Sequence, residues 1–208
     1  VLGALRARLV PLVKEAAAAS APHADILKGR KFAASGQWEL CRQLLTAIGF
    51  QFERGRLDRS THPFTLYAGV NDVRLTIRVN EDDFSSAVLT TLHEGGHGLY
   101  DQGFDPADGG SLLGEGPSTG LHECQARLWE NHVGRSRAFW EFLFPRLRDF
   151  FPDAVEGLSA DAIHRAVNVV RPHVNRVTAD EMSYHLHIAL RCELETALLA
   201  GALPVRDL

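Results

Sequence analysis

The chain has 208 residues, 45% apolar and 23% charged, which suits one globular domain with a sizeable core. Its 22 Lys and Arg stand against 26 Asp and Glu, for a formal net charge of −4, and no basic patch forms, which excludes the usual nucleic-acid surface. No apolar run approaches the ~20 residues that span a bilayer, and neither a membrane nor nucleic acid is expected as a partner.

Residues 1–11 interrupt Leu and Val with Arg and Gly, unlike the apolar stretch of a signal peptide. Cys41, Cys124 and Cys192 are widely spaced and form no CxxC, so reduced thiols and a cytoplasmic location are expected. The first third of the chain reads helical. Ser35 is placed to cap a helix through Trp38, Leu40, Leu44, Leu45 and Ile48, with Gly49 as its left-handed C-terminal residue. A turn-rich stretch covers 55–69. From Val70 to Val79, Val73, Leu75, Ile77 and Val79 alternate with polar residues, the pattern of a half-buried strand and the one convincing strand in the sequence. Helical spacing returns over 84–101. A Gly-rich loop, 103–117, leads to Ser118 as cap of a helix through Leu121, Leu128 and Trp129. Further helices are predicted over 139–150, from Ser159, and from a capping box at Thr178–Glu181 to Gly201. With no repeat and no linker, residues 1–208 are read as a single, mainly α domain with a small sheet or hairpin beside the 84–101 helix.

That helix carries His93-Glu94-Gly95-Gly96-His97, an HExxH sequence. Residues four apart share one helix face, so both imidazoles can reach one ion at ~2.0–2.1 Å. Glu94 then reaches the rim of the same site, where it can take a proton from a water acidified by zinc. Gly95 and Gly96 each cost a helix about 1 kcal/mol relative to Ala, tolerable where another backbone or a substrate comes close. A solvent-facing polar turn is the plain alternative, and the flanking Leu89, Leu92 and Leu99 argue against it. A catalytic zinc needs a third protein ligand. The residues after His97 supply no third His at metzincin spacing. Glu123 in the next helix is favoured by spacing, with Glu115 and Glu130 as competitors. Cys124 beside it points about 100° away on a helix and reads as a packing residue.

Together with His122-Glu123-Cys124-Gln125-Ala126-Arg127-Leu128-Trp129-Glu130-Asn131, the HExxH resembles the M32 metallocarboxypeptidases, the thermostable carboxypeptidase Taq family. Further signatures fall in order: His62-Pro63-Phe64 for HPF, Asp72 to Thr76 for DxRxT, His122 to Gln125 for HES/GQ with Cys124 at the small position, and Arg176 to Asp180 for the end of IRxxAD, with Asn175 where Ile is usual. The resemblance implies a mainly helical gluzincin fold with a groove and a small sheet along it. It also implies release of single C-terminal residues, a zinc or cobalt ion, and a homodimer. It assigns His93, His97 and Glu123 as metal ligands, Glu94 as base, and Arg74 and Arg176 as candidates for binding the substrate carboxylate, for which a guanidinium is well shaped. Tyr184 and His187 match positions near the groove, with supporting or core roles. For Arg74 the competing reading is a salt bridge with Asp72.

The chain resembles only the central part of that family and is expected to be truncated at both ends. The family's GxxQDxHW element does not occur in it. Two readings result. The first is a zinc-dependent carboxypeptidase acting on peptides. The second is a latent or non-catalytic metal-binding domain.

Overall fold

A computed structural model of the chain describes residues 2–176 and 179–208. They divide into two compact units. One comprises Leu27–Val167, and the other joins the two chain ends, up to Ile26 and from Asn168.

In the larger unit, helix α2 (Ala34–Ile48) ends at Gly49, whose φ of 100° is the left-handed closure expected for it. Its start differs from the expectation. Ser35 is not the cap: the helix begins one residue earlier, and the Glu81 carboxylate accepts the Ala34 N–H at 3.1 Å. A distant side chain thus does the capping, which local sequence could not reveal.

The small sheet expected from the sequence has three strands, β1 (Gly55–Arg59), β2 (Phe64–Gly69) and β3 (Asp72–Ile77), in the order β1-β3-β2, and only β3 is marked by alternation. β1 runs parallel to the central β3, with Leu57 opposite Leu75, and β2 runs antiparallel, with Thr65 opposite Leu75. β3 shows the alternation read from sequence: Val73, Leu75 and Ile77 are buried, and Arg74 is exposed. β2 escaped notice because its pattern is inverted. Phe64 and Leu66 face outward while Thr65 and Tyr67 turn inward, so polarity does not mark the buried face. β1 buries only Leu57. The Thr76 hydroxyl of β3 accepts the Phe64 N–H at 2.9 Å and so holds the start of β2.

Helix α3 (Phe84–Gln102), capped by Asp83 on the Ser86 N–H, is buried on nearly every side. One side joins a core of Phe32, Leu40, Phe84, Leu92, Trp140 and Leu147 with α2 and α5 (Arg137–Phe150). Ala87 joins a second core, with Cys41 and Leu45 of α2 and Val73, Leu75 and Ile77 of the sheet. Burial pushes the Cys41 thiol up to about 12, so it behaves as an inert apolar group. Helix α4 (Thr119–Arg127), capped by Ser118 as expected, packs on a third side of α3 and continues into a π-helical turn over Leu128–Val133. α6 (Ala160–Val167) follows Ser159, whose hydroxyl accepts the Ala162 N–H.

In the smaller unit, α1 (Leu2–Ser20) packs on α7 (Glu181–Leu199), and Arg6 forms a two-pronged pair with Glu193 at 2.9 and 2.7 Å. The expected capping box rests on Thr178, which lies outside the described residues. α7 is capped by Asp180, which accepts from the N–H groups of Met182 and Ser183. No helix among the described residues is long and apolar enough to cross a membrane.

A Cβ built on Gly96 would meet backbone of α4, the Ala126 Cα at 2.8 Å and the Gln125 carbonyl oxygen at 2.9 Å. Backbone cannot swing aside, so Gly96→Ala should lower stability. Overpacking of about 1–3 kcal/mol outweighs the gain of about 1 kcal/mol in helix propensity. At Gly120, in the first turn of α4, the nearest atom is the Ser118 hydroxyl at 3.9 Å, so Gly120→Ala should raise the melting temperature. Thermal unfolding of the two variants should therefore move in opposite directions.

Candidate metal centre

His93 and His97 lie one turn apart on α3, with ring centroids 4.9 Å apart. The close approach of α4 at Gly96 sets Glu123 opposite both. Its Oε2 is 3.4 Å from His97 Nε2 and 3.8 Å from His93 Nε2, and the ligating atoms of the three side chains fall within 4.8 Å of one another. Ligands at 2.0–2.1 Å from a tetrahedral ion stand roughly 3.3 Å apart, so the two Glu123 contacts are near that spacing and the group fits a small cation once its widest pair closes in. Two imidazoles and one carboxylate are also the donor set of catalytic rather than structural zinc sites, which leave a position open.

The competitors separate clearly. Glu115 is exposed in the Gly-rich loop. Glu130 lies on the far side of the His93 ring, its Oε2 2.8 Å from Nδ1 while Glu123 approaches Nε2. Arg127 stands between the two carboxylates, Nε to Glu123 Oε1 at 2.9 Å and a terminal nitrogen to Glu130 Oε2 at 3.0 Å. His97 is held differently. Its ring stacks on His122 with centroids 4.3 Å apart, and His122 Nε2 lies 3.0 Å from the buried Asp101 carboxylate.

Glu94 is only 6% exposed, and its Oε2 accepts the Thr65 hydroxyl from β2 at 2.6 Å. Three carboxylates therefore gather around two imidazoles and one guanidinium. The titration reflects this. Burial alone would raise Glu123, but its bond to His97 and the positive charges of His93 and Arg127 win, holding the carboxyl at about 2. Burial would lower His93, but the Glu130 bond and the surrounding carboxylates win, raising it above its usual 6.5. The site is built to hold positive charge.

The other residues singled out from sequence have partners of their own. Arg74 lies on the exposed face of β3, opposite in direction to the Val73, Leu75 and Ile77 side chains that pack toward α3. There its guanidinium grips Asp72 with two bonds of 2.8 and 2.6 Å. Arg176 belongs to the smaller unit, where it donates to the Tyr184 hydroxyl at 2.7 Å and lies over that ring. His187 in the same unit contacts the His173 carbonyl at 2.8 Å through Nε2. Cys124 is an exposed free thiol. Glu130, a rival ligand on sequence spacing, instead meets the far nitrogen of His93; its place seven residues from Glu123 on roughly the same face is the one signal in the sequence for that contact. Thr65 carried no signal, because its strand was not recognised.

The family model for the carboxypeptidase Taq (M32) metallopeptidases matches residues 1–208. The crystal structure of an M32 carboxypeptidase from Deinococcus radiodurans R1 superposes with a TM-score of 0.94 at 48% identity, covering 100% of this chain and 42% of that one. Thermostable carboxypeptidase 1 of Thermus thermophilus is 46% identical over 187 residues, 90% of this chain and 36% of the relative. Carboxypeptidase 1 of Bacillus subtilis is 37% identical, over 98% of this chain and 41% of the relative. The chain thus spans about two-fifths of the length of these relatives.

The two shifted groups give the metal-free chain a stability window. The depressed Glu123 carboxyl contributes stability that is present above its usual 4.5 and is lost as the pH falls towards about 2. The raised His93 contributes stability that is present below 6.5 and is lost as the pH rises through its folded value. Urea midpoints measured with a chelator should show both limbs. Glu123→Gln should flatten the acid limb.

Proposed function

Because the chain belongs to the carboxypeptidase Taq (M32) metallopeptidase family, we propose that it carries the metal-binding and proton-transfer half of a carboxypeptidase that removes C-terminal residues from peptides. The observation that carries this reading is the convergence of His93, His97 and Glu123 within 4.8 Å, next to a buried and oriented Glu94. In this reading the first three hold a divalent ion, zinc with cobalt as a substitute. When bound, it supplies a Lewis acid for the scissile carbonyl and acidifies the attacking water.

Glu94 takes the proton from that water. Its burial supports the role, and the Thr65 hydroxyl fixes one carboxylate oxygen and leaves the other for the proton. For the substrate's terminal carboxylate the proposal favours Arg176 over Arg74. The fork of Arg74 is already filled by Asp72, whereas Arg176 has the neutral Tyr184 hydroxyl as a partner. A cytoplasmic location and assembly with a second copy belong to the same reading, supported by three free cysteines and by the family resemblance respectively.

A second reading follows from one sequence fact. These 208 residues contain no GxxQDxHW element, so groups that stabilise the reacting carbonyl in the family have no counterpart among them. Losing one such donor costs about 10²–10³ in rate. A chain that binds metal without turning over would fit that fact.

One assay separates the two. The zinc-loaded chain is incubated with an N-blocked peptide, and free amino acid is measured beside Glu94→Gln. The proposal expects release of the C-terminal residue by the wild type. Glu94→Gln should keep the metal and lose roughly 10²–10⁴ in rate. Metal binding by both with cleavage by neither would make the second reading the correct one.

A further inference from the structure

Beside the metal centre, the proposed mechanism leaves two sets of ionisable side chains unused, His122 with Asp101 behind His97 and Arg127 with Glu130 behind His93. The second set is connected to Glu123 through Arg127. Glu123, Arg127 and Glu130 occupy one edge of α4 and its π-helical extension, and two of them meet the same imidazole from opposite sides. Glu123 faces His93 Nε2 at 3.8 Å, and Glu130 meets Nδ1 at 2.8 Å. An ionised carboxylate only accepts hydrogen bonds, so Nδ1 must be the donor. In a neutral ring that choice puts the lone pair on Nε2, the atom turned towards Glu123. The Glu130 side chain is 17% exposed and its Oε2 also accepts from Arg127, so its position is fixed twice. The widened turn over Leu128–Val133, closed by the Gly134 N–H on the Trp129 carbonyl at 2.8 Å, is the backbone that carries it.

We propose that Glu130 is a positioning residue that selects the metal-binding tautomer of His93, and that Arg127 is the clasp that fixes Glu130 and the ligand Glu123 in register. The inference rests on the metal-site reading above. A carboxylate behind a ligating histidine fixes the ring and strengthens it as a donor, and removing such a partner typically costs 10–100-fold in metal affinity. The guanidinium suits its role because its planar fork can serve two carboxylates at once, which a point-charge ammonium cannot do with the same geometry.

Charge alone would also link these residues to a cation, so the test keeps charge constant. Zinc affinity is measured by competition with a chromophoric chelator for the wild type, Glu130→Asp and Arg127→Lys, each checked for folding by circular dichroism. Positioning predicts a 10–100-fold loss for Glu130→Asp, which retracts the carboxylate by one methylene, and about a tenfold loss for Arg127→Lys. Affinities equal to the wild type would show that only charge matters and would overturn the proposal. Independently of any variant, ¹⁵N NMR of the metal-free wild type, at a pH where His93 is neutral, reads the tautomer directly. The Nδ1–H form is expected to dominate, and a dominant Nε2–H form would overturn the inference. If the wild type itself binds no zinc, the metal-site reading falls and takes this one with it. If the wild type binds and the variants match it, only the positioning roles fall.

Discussion

Where α3 crosses α4, the hydrogen of Gly96 takes the place of a side chain and the backbone of Ala126 moves in against it. Everything at the candidate centre depends on that approach. The two histidines are fixed on α3 by helical spacing alone, but a third ligand must come from a different helix. Its reach is limited to one carboxylate side chain. Any residue larger than Gly at position 96 would press on Cα and carbonyl atoms that cannot rotate away, and would move Glu123 from its place near both imidazoles. The neighbouring glycines serve the same end on other sides. A side chain at Gly95 would strike Leu45 and Ile48 of α2, and one at Gly98 would strike Phe50 and Leu75. Glycines that weaken a helix in isolation are retained here because α3 is the central element, enclosed on nearly every side.

With the helices in contact, electrostatics decides the rest. Glu94 and Glu130 are largely shielded from solvent and Glu123 is half-exposed beside them, so their like charges repel more strongly than they would in open water. Arg127 offsets part of this, and in the metal-free chain a raised His93 offsets more. Each carboxylate has a different environment: Glu123 shares hydrogen bonds with His97 and Arg127, Glu130 with His93 and Arg127, and Glu94 with a neutral hydroxyl. The proposed ligand, ring-orienting group and proton acceptor thus differ in their partners, although all three are glutamates.

Much of this was legible in the sequence, and the failures have physical causes. The HExxH spacing, the Ser118 and Ser159 caps and the alternation of β3 are local signals, and the structure carries each of them. The Gly-Gly pair marks a close approach by another backbone or a substrate; at Gly96 the neighbour is the backbone of Ala126, and at Gly95 it is the side chains of Leu45 and Ile48. What local spacing could not show were contacts made across the fold. Glu81 caps α2 from beyond the sheet, Thr65 reaches Glu94 from a strand whose buried face is polar, and Glu130 meets the nitrogen that the ligand reading did not consider. Arg74 makes the salt bridge with Asp72, the competing reading of its motif, because the period of two that marks β3 also turns its side chain away from α3.

The central claim is that α3 and α4 together present two imidazoles and one carboxylate to a single ion. X-ray absorption of the chain loaded with one equivalent of zinc reads that shell directly. The account predicts the outer scattering of two imidazoles, nitrogen and oxygen neighbours at about 2.0–2.1 Å, and no sulfur. A shell with one imidazole or none, or with a sulfur neighbour from Cys124, would contradict it.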